Sequence, residues 1–132
     1  MPQVLIVDDN LDIRRTVRWV LELAPENQEY VVAEAAHGQQ ALDILRAGTA
    51  PTVVLFDLYM PVMDGQQLLQ HILADPTLAT RCALVCMTAS EVRLSPDLAA
   101  LLEAHSIPVL AKPFDIDALL TVVATAAGNL PT

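Results

Sequence analysis

Short runs of apolar residues, separated by segments of helical periodicity, recur from one end of this chain to the other. Val4-Leu5-Ile6-Val7, residues 30–34, Val53-Val54-Leu55-Phe56, residues 83–87 and Val109-Leu110-Ala111 are brief and rich in aliphatic side chains. Unbroken apolar runs of this length mark strands buried on both faces, as in a parallel sheet. Helices are predicted between them. Residues 11–24 carry Ile13, Val17, Val20 and Leu21 at helical spacing, with Pro25 behind them. Residues 39–46 turn Leu42 and Leu45 inward and stop at Gly48. A third helix opens at Gly65, places Leu68, Leu69 and Ile72 on one face, and ends near Asp75-Pro76. A weaker helix covers 96–105, and a last one from about Asp115 sets Ile116, Leu119, Leu120 and Val123 along one side.

Five strand–helix units predict an α/β fold, a doubly wound (βα)5 domain with right-handed crossovers and helices on both faces of a five-stranded parallel sheet. A strand order of 2-1-3-4-5 puts the topological switch point between strands one and three. One domain over residues 1–132 is expected, with a core from about 3 to 127 and a tail at 128–132. The apolar fraction of 54% is enough for an ordinary core.

The formal charge of −9 leaves no basic stripe to neutralise phosphates, which argues against a nucleic-acid surface, and 4% aromatics offer few stacking platforms. Cys82 and Cys86, the two cysteines, lie four apart with no second pair, so they read as small buried hydrophobes on one face of a strand rather than a zinc site. His37, His71 and His105 are scattered. The apolar run after Met1 is too short for a signal peptide and no stretch reaches transmembrane length, so a reducing, cytoplasmic setting is expected.

Charged residues follow three of the five runs. Asp8 and Asp9 come after the first, Asp57 after the third and Lys112 after the fifth. Carboxyl ends of strands form the ligand crevice of an open α/β sheet, so all four groups converge there, with the aspartates on the two switch-point strands. Three carboxylates in one crevice repel unless a cation bridges them. Magnesium, or manganese in its place, suits such oxygen donors. A carboxylate beside a bound cation and a lysine suits phosphoryl transfer.

Asp8-Asp9, then Asp57 with Met60-Pro61 and Asp64-Gly65, Thr88-Ala89, and Lys112-Pro113-Phe114 follow one another in an order that resembles the receiver domain of two-component response regulators, over residues 3–127. The resemblance implies that Asp57 accepts a phosphoryl group from a phosphohistidine of a sensor histidine kinase or phosphotransfer protein. It implies magnesium on Asp9, Asp57 and the backbone carbonyl of Tyr59, with Asp8 acting mainly through a bound water. Lys112 pairs with one phosphoryl oxygen, Thr88 moves to bond another, and the Lys112–Pro113 peptide is cis. Such a domain catalyses only its own phosphoryl transfer and dephosphorylation. Pro61 is read as stiffening the loop, Gly65 as permitting close backbone approach, and Asp64 as a helix cap.

The chain departs from the family pattern at Val109, where receivers usually carry Tyr or Phe. A valine has no long side chain to swing, so output is expected to run through the loop 88–95 and the helix after it. Tyr59 and Ser90 flank the path of a hydrolytic water in this family, and Tyr59 is read either as shielding the acyl phosphate or as cover for an apolar rim. Arg14, Arg15 and Arg18 with Trp19 form the basic cluster of an acidic chain, read as a partner-recognition face or a solvated helix surface. The last helix turns uncharged Ala118, Thr121, Val122 and Thr125 outward, which allows a monomer or a weak phosphorylation-dependent dimer. Three rivals stand beside this reading. One is an aspartyl-phosphate phosphohydrolase, whose second acid would fall at Tyr59. Another is a nucleotide-binding domain, which Asp8-Asp9-Asn10 would repel. The third is a degenerate receiver that serves as an interaction module. The chain fits a stand-alone receiver or one domain of a longer regulator, with the output target unspecified.

Overall fold

The structure, a computed structural model, describes residues 2–25, 28–89 and 93–131. Its elements run β1 (Gln3–Val7), α1 (Leu11–Glu22), β2 (Val31–Ala35), α2 (Gly38–Ala47), β3 (Thr52–Asp57), α3 (Gly65–Ala74), α4 (Pro76–Arg81), β4 (Cys82–Ala89), α5 (Pro96–Ala104), β5 (Val109–Lys112) and α6 (Ile116–Gly128). The five strands form one parallel sheet in the order β2-β1-β3-β4-β5, as the apolar runs predict.

Period-two alternation within each run divides the core in two. Val4, Ile6, Val53, Leu55, Val85 and Met87 face α1 and α6, where they meet Val17, Leu21, Leu119 and Val123. Leu5, Val7, Val54, Phe56 and Cys86 face the other way, onto Leu42 and Leu45 of α2, Leu68 and Ile72 of α3, and Leu98 of α5. Both faces of β1 and β3 are therefore dry. Each fully buried aliphatic side chain contributes about 2 kcal/mol of hydrophobic stabilisation. Charge is tolerable only where such strands run out, which is why the aspartates stand at their ends.

The structure adds two features to the sequence expectation. Residues 76–81 form an additional short helix, α4, because Asp75 accepts from the amides of Thr77 and Leu78 and Pro76 occupies its first turn. Gly48 ends α2 in extended backbone (φ −102°), not in the left-handed cap that its glycine suggests. Arg81 takes over the capping: its guanidinium donates to the carbonyls of Leu45, Gly48 and Ala50.

The loop between β3 and α3 is shaped by close backbone approaches. The Gly65 amide donates to the Leu58 carbonyl at 2.8 Å. A Cβ on Gly65 would stand 2.7 Å from Leu58 Cα and nearer still to the Asp57 carbonyl oxygen. Asp64 and Gln67 close a reciprocal capping box at the head of α3. Val62 holds a left-handed backbone (φ 69°), with the Met63 amide bonded across it to the Pro61 carbonyl at 2.7 Å. A β-branched residue is strained there, at a cost of order 1–3 kcal/mol.

Gly65→Ala is expected to lower stability by about 2–3 kcal/mol, because overpacking against the Asp57–Leu58 backbone exceeds the roughly 1 kcal/mol gained in helix propensity. Urea denaturation measures the difference, and an unchanged midpoint would show that the helix can shift without penalty.

The candidate acidic site

Four strands deliver the site. Asp8 follows β1, Asp57 ends β3, Thr88 lies near the end of β4 and Lys112 ends β5. Carboxylate oxygens of Asp8, Asp9 and Asp57 lie within 4.8 Å of one another. Lys112 Nζ donates to Asp8 Oδ2 at 2.6 Å and stands 3.4 Å from Asp57 Oδ1. The Lys112–Pro113 peptide is cis.

The three acids are not equivalent. Asp8 is 1% exposed, and its second oxygen accepts from the Asn10 amide at 2.9 Å. Both of its oxygens therefore have protein partners. Asp9 is exposed and Asp57 partly buried, so these two carry the open oxygens. Asn10 caps α1, accepting from the amides of Asp12 and Ile13, and so fixes where the helix begins behind the acids.

Burial pushes the Asp57 carboxyl above its ordinary 3.8; Lys112 pulls it down, Asp8 pushes it up, and burial prevails. Burial also disfavours charge on Lys112, but its bond to Asp8 and the charges of Asp57 and Asp8 outweigh that and raise its pKa above 10.5. Lys112 is thus firmly cationic. The Thr88 hydroxyl is buried and has no hydrogen-bond partner among the described residues. An unpartnered buried hydroxyl costs roughly 1–3 kcal/mol, and such a group is poised to accept a ligand atom.

A hard-oxygen donor set with surplus negative charge, two open carboxylates and an orphaned hydroxyl fits a divalent cation with a phosphoryl oxygen beside it. A family model of the response regulator receiver domain matches residues 4–124. The chain belongs to this family. It is 36% identical over 125 residues to the nitrate/nitrite response regulator protein NarP of Escherichia coli, covering 95% of this chain and 54% of that protein. Over 125 residues it is also 34% identical to sporulation initiation phosphotransferase F of Bacillus subtilis, covering 92% of this chain and 90% of that protein. Its fold matches the chemotaxis response regulator CheY4 of Vibrio cholerae with a TM-score of 0.77 at 27% identity, covering 96% and 98%. The receiver spans about half the length of NarP, and 18% to 30% of the protein-glutamate methylesterases it also resembles. It is a phosphoryl-accepting receiver of two-component signalling, with an acidic cluster where that chemistry needs one. Among the described residues no helix is long and apolar enough to cross a membrane.

The other candidates fall in several places. Tyr59 is 62% exposed on the rim beside Asp57, next to a cavity of about 370 Å³ that Leu58, Arg93 and Leu94 also line. Val109 lies on edge strand β5, 43% exposed. Ser90, with residues 91 and 92 of the loop expected to carry output, lies outside the described residues. The basic cluster divides. Arg14 and Arg18 both pair with Glu34, while Arg15 and Trp19 remain exposed in a stripe with Leu11 and Leu23 at four-residue spacing. Ala118, Thr121, Val122 and Thr125 line one wall of a groove of about 940 Å³, away from the carboxylates. Glu34 was not a sequence candidate. Its signal was an acid inside an apolar run, with two arginines one helical turn apart available to meet it.

A raised carboxyl pKa means that ionised Asp57 opposes folding above that pKa, and the opposition disappears as pH falls through it towards 3.8. In EDTA, Asp57→Asn is expected to have a higher urea midpoint than wild type at neutral pH, with the gap closing towards about pH 4. A neutral-pH midpoint below wild type would reverse this account.

Proposed function

We propose that Asp57 is the phosphoryl acceptor, taking the group from a phosphohistidine on a sensor kinase or phosphotransfer protein. The observation that carries this assignment is the convergence of Asp8, Asp9, Asp57 and Lys112 at one end of the sheet. An Asp57 carboxylate oxygen forms the new O–P bond as the P–N bond breaks. The electron pair goes to the imidazole nitrogen, and the phosphoryl group keeps its three other oxygens. Lys112 meets one of them and the Thr88 hydroxyl donates to another.

Asp9, Asp57 and the Tyr59 carbonyl are the proposed magnesium ligands, manganese substituting, with Asp8 acting through water because its oxygens already serve Lys112 and Asn10. Bound there, the ion neutralises negative charge that develops as the phosphoryl group transfers. The product bears a larger, more charged group than a carboxylate and biases a two-state surface. The domain is read as a switch whose catalysis is confined to its own phosphoryl transfer and hydrolysis. Arg15 and Trp19, rather than the paired Arg14 and Arg18, are the proposed partner-facing members of the basic cluster. Cys82 and Cys86 are free thiols, in keeping with a reducing, cytoplasmic setting.

Intact-protein mass after incubation with acetyl phosphate and magnesium tests the assignment. One phosphoryl adduct is expected on wild type, none on Asp57→Asn, and none in EDTA. An adduct that survives Asp57→Asn would move the acceptor elsewhere. No adduct from either acetyl phosphate or a phosphohistidine donor would favour an interaction module. Tyr59→Ala, which uncovers the rim beside the acceptor, is expected to shorten the phosphoryl half-life about threefold or more if the ring shields the acyl phosphate from water. An unchanged half-life assigns the ring to covering the rim.

A further inference from the structure

The receiver assignment leaves Arg14 without a task, yet this side chain is tightly held. It extends from α1 and its side chain is only 15% exposed. Nη1 donates to the backbone carbonyl of Asp8 at 2.7 Å, and Nε donates to Glu34 Oε1 at 3.1 Å. The planar guanidinium reaches both acceptors at once, which a lysine ammonium on a flexible stem does poorly. Arg18, one turn along, donates to the other Glu34 oxygen at 2.8 Å and to the Val32 carbonyl at 3.3 Å, so both of its bonds end on β2.

Glu34 is a firm anchor for this arrangement. Partial burial pushes its carboxyl up, but the bonds and charges of Arg18 and Arg14 outweigh burial and hold it below its ordinary 4.5. With Arg14 in place, every polar atom of Asp8 has a partner. Its amide donates to the Ala35 carbonyl, one carboxylate oxygen accepts from Asn10 and the other from Lys112, and its carbonyl accepts from Arg14.

The Asp8 carbonyl oxygen belongs to the peptide plane that joins Asp8 to Asp9. Because that unit is rigid, fixing its oxygen fixes the direction in which the chain enters Asp9. We propose that Arg14 is a positioning residue of the acidic site: braced by Glu34, it locks the peptide plane between Asp8 and Asp9 so that both carboxylates face a divalent cation. The inference rests on reading that site as a magnesium centre. Arg14 acts through the backbone and not as a counter-charge, since its positive charge would by itself repel the metal and Glu34 offsets it.

Two charge-matched single variants of the whole chain separate these effects. Arg14→Met and Arg18→Met change net charge equally and each removes one arginine from Glu34, but only the first removes the donor on Asp8. In EDTA, amide exchange at Asp9 and Asn10 is expected to be about tenfold faster in the first and within about twofold of wild type in the second. The magnesium dissociation constant from calorimetry is expected to rise about tenfold in the first and less than about twofold in the second. Should the first variant fail to fold, Arg14→Lys against Arg18→Lys repeats the comparison with charge retained and a smaller contrast in the same direction. Equal behaviour of the paired variants, or unchanged exchange when the Arg14 donor is lost, overturns the brace. An exchange contrast in a chain whose wild type binds no magnesium at millimolar concentration overturns the magnesium reading and leaves the brace standing.

Discussion

Lys112 lets three carboxylates share one end of the sheet. At an effective dielectric of about 20, two unit charges 4.8 Å apart repel by roughly 3 kcal/mol, and Asp8, Asp9 and Asp57 make three such pairs. The ammonium, in contact with Asp8 and close to Asp57, offsets part of that repulsion. Three negative groups against one positive still leave surplus negative charge, while burial is what chiefly raises the Asp57 pKa. A site of this kind is unfinished without a further cation or an incoming group that rearranges its charge. That is a useful property for an acceptor, because the energy released on completing the site is available to drive a change of conformation.

Holding such a site open requires stiffness around it, and the chain obtains stiffness from backbone contacts more than from packing. Gly65 lets α3 lean directly on the Asp57–Leu58 peptide. Val62 keeps a left-handed turn that its side chain disfavours, between Pro61 and a Met63 carbonyl that receives the Gly38 amide at the head of α2. Arg14 and Arg81 each stretch a guanidinium to main-chain carbonyls, one at the acidic turn and one at the base of α2. Gly65, Val62 and Arg14 confine the loops at the carboxyl ends of β1 and β3, Arg81 ties the end of α2 to the loop before β3, and both core layers bury the strands between.

The surfaces of β5, α6 and α1 have a different character. Val109 is a small side chain exposed on edge strand β5. Ala118, Thr121, Val122 and Thr125 of α6 border a groove whose acidic members, Asp115 and Asp117, stand at the head of that helix. Along α1, the stripe of Leu11, Arg15, Trp19 and Leu23 starts beside the acidic turn. The acidic cluster thus lies at one end of the sheet, and exposed apolar side chains lie on the helix beside it.

Sequence by itself determined the five strands, their burial and the convergence of Asp8, Asp9, Asp57 and Lys112, because each depends on local pattern: an apolar run, a polar end and a helix-length return. It also marked Asp64 as a cap and Gly65 as a close approach. Tertiary structure alone decided what depends on distance across the fold. The short helix at 76–81 was hidden because Asp75 and Pro76 read equally well as the end of one helix. Gly48 marked the end of α2, but only the packed fold brings Arg81, 33 residues away, to the carbonyls there. Arg14 and Arg18 read as a partner-recognition face or a solvated helix surface because their partner Glu34 lies on β2, outside their own helix. A side chain's periodicity says which face it occupies, but only the packed sheet brings a carboxylate or a carbonyl within reach of it.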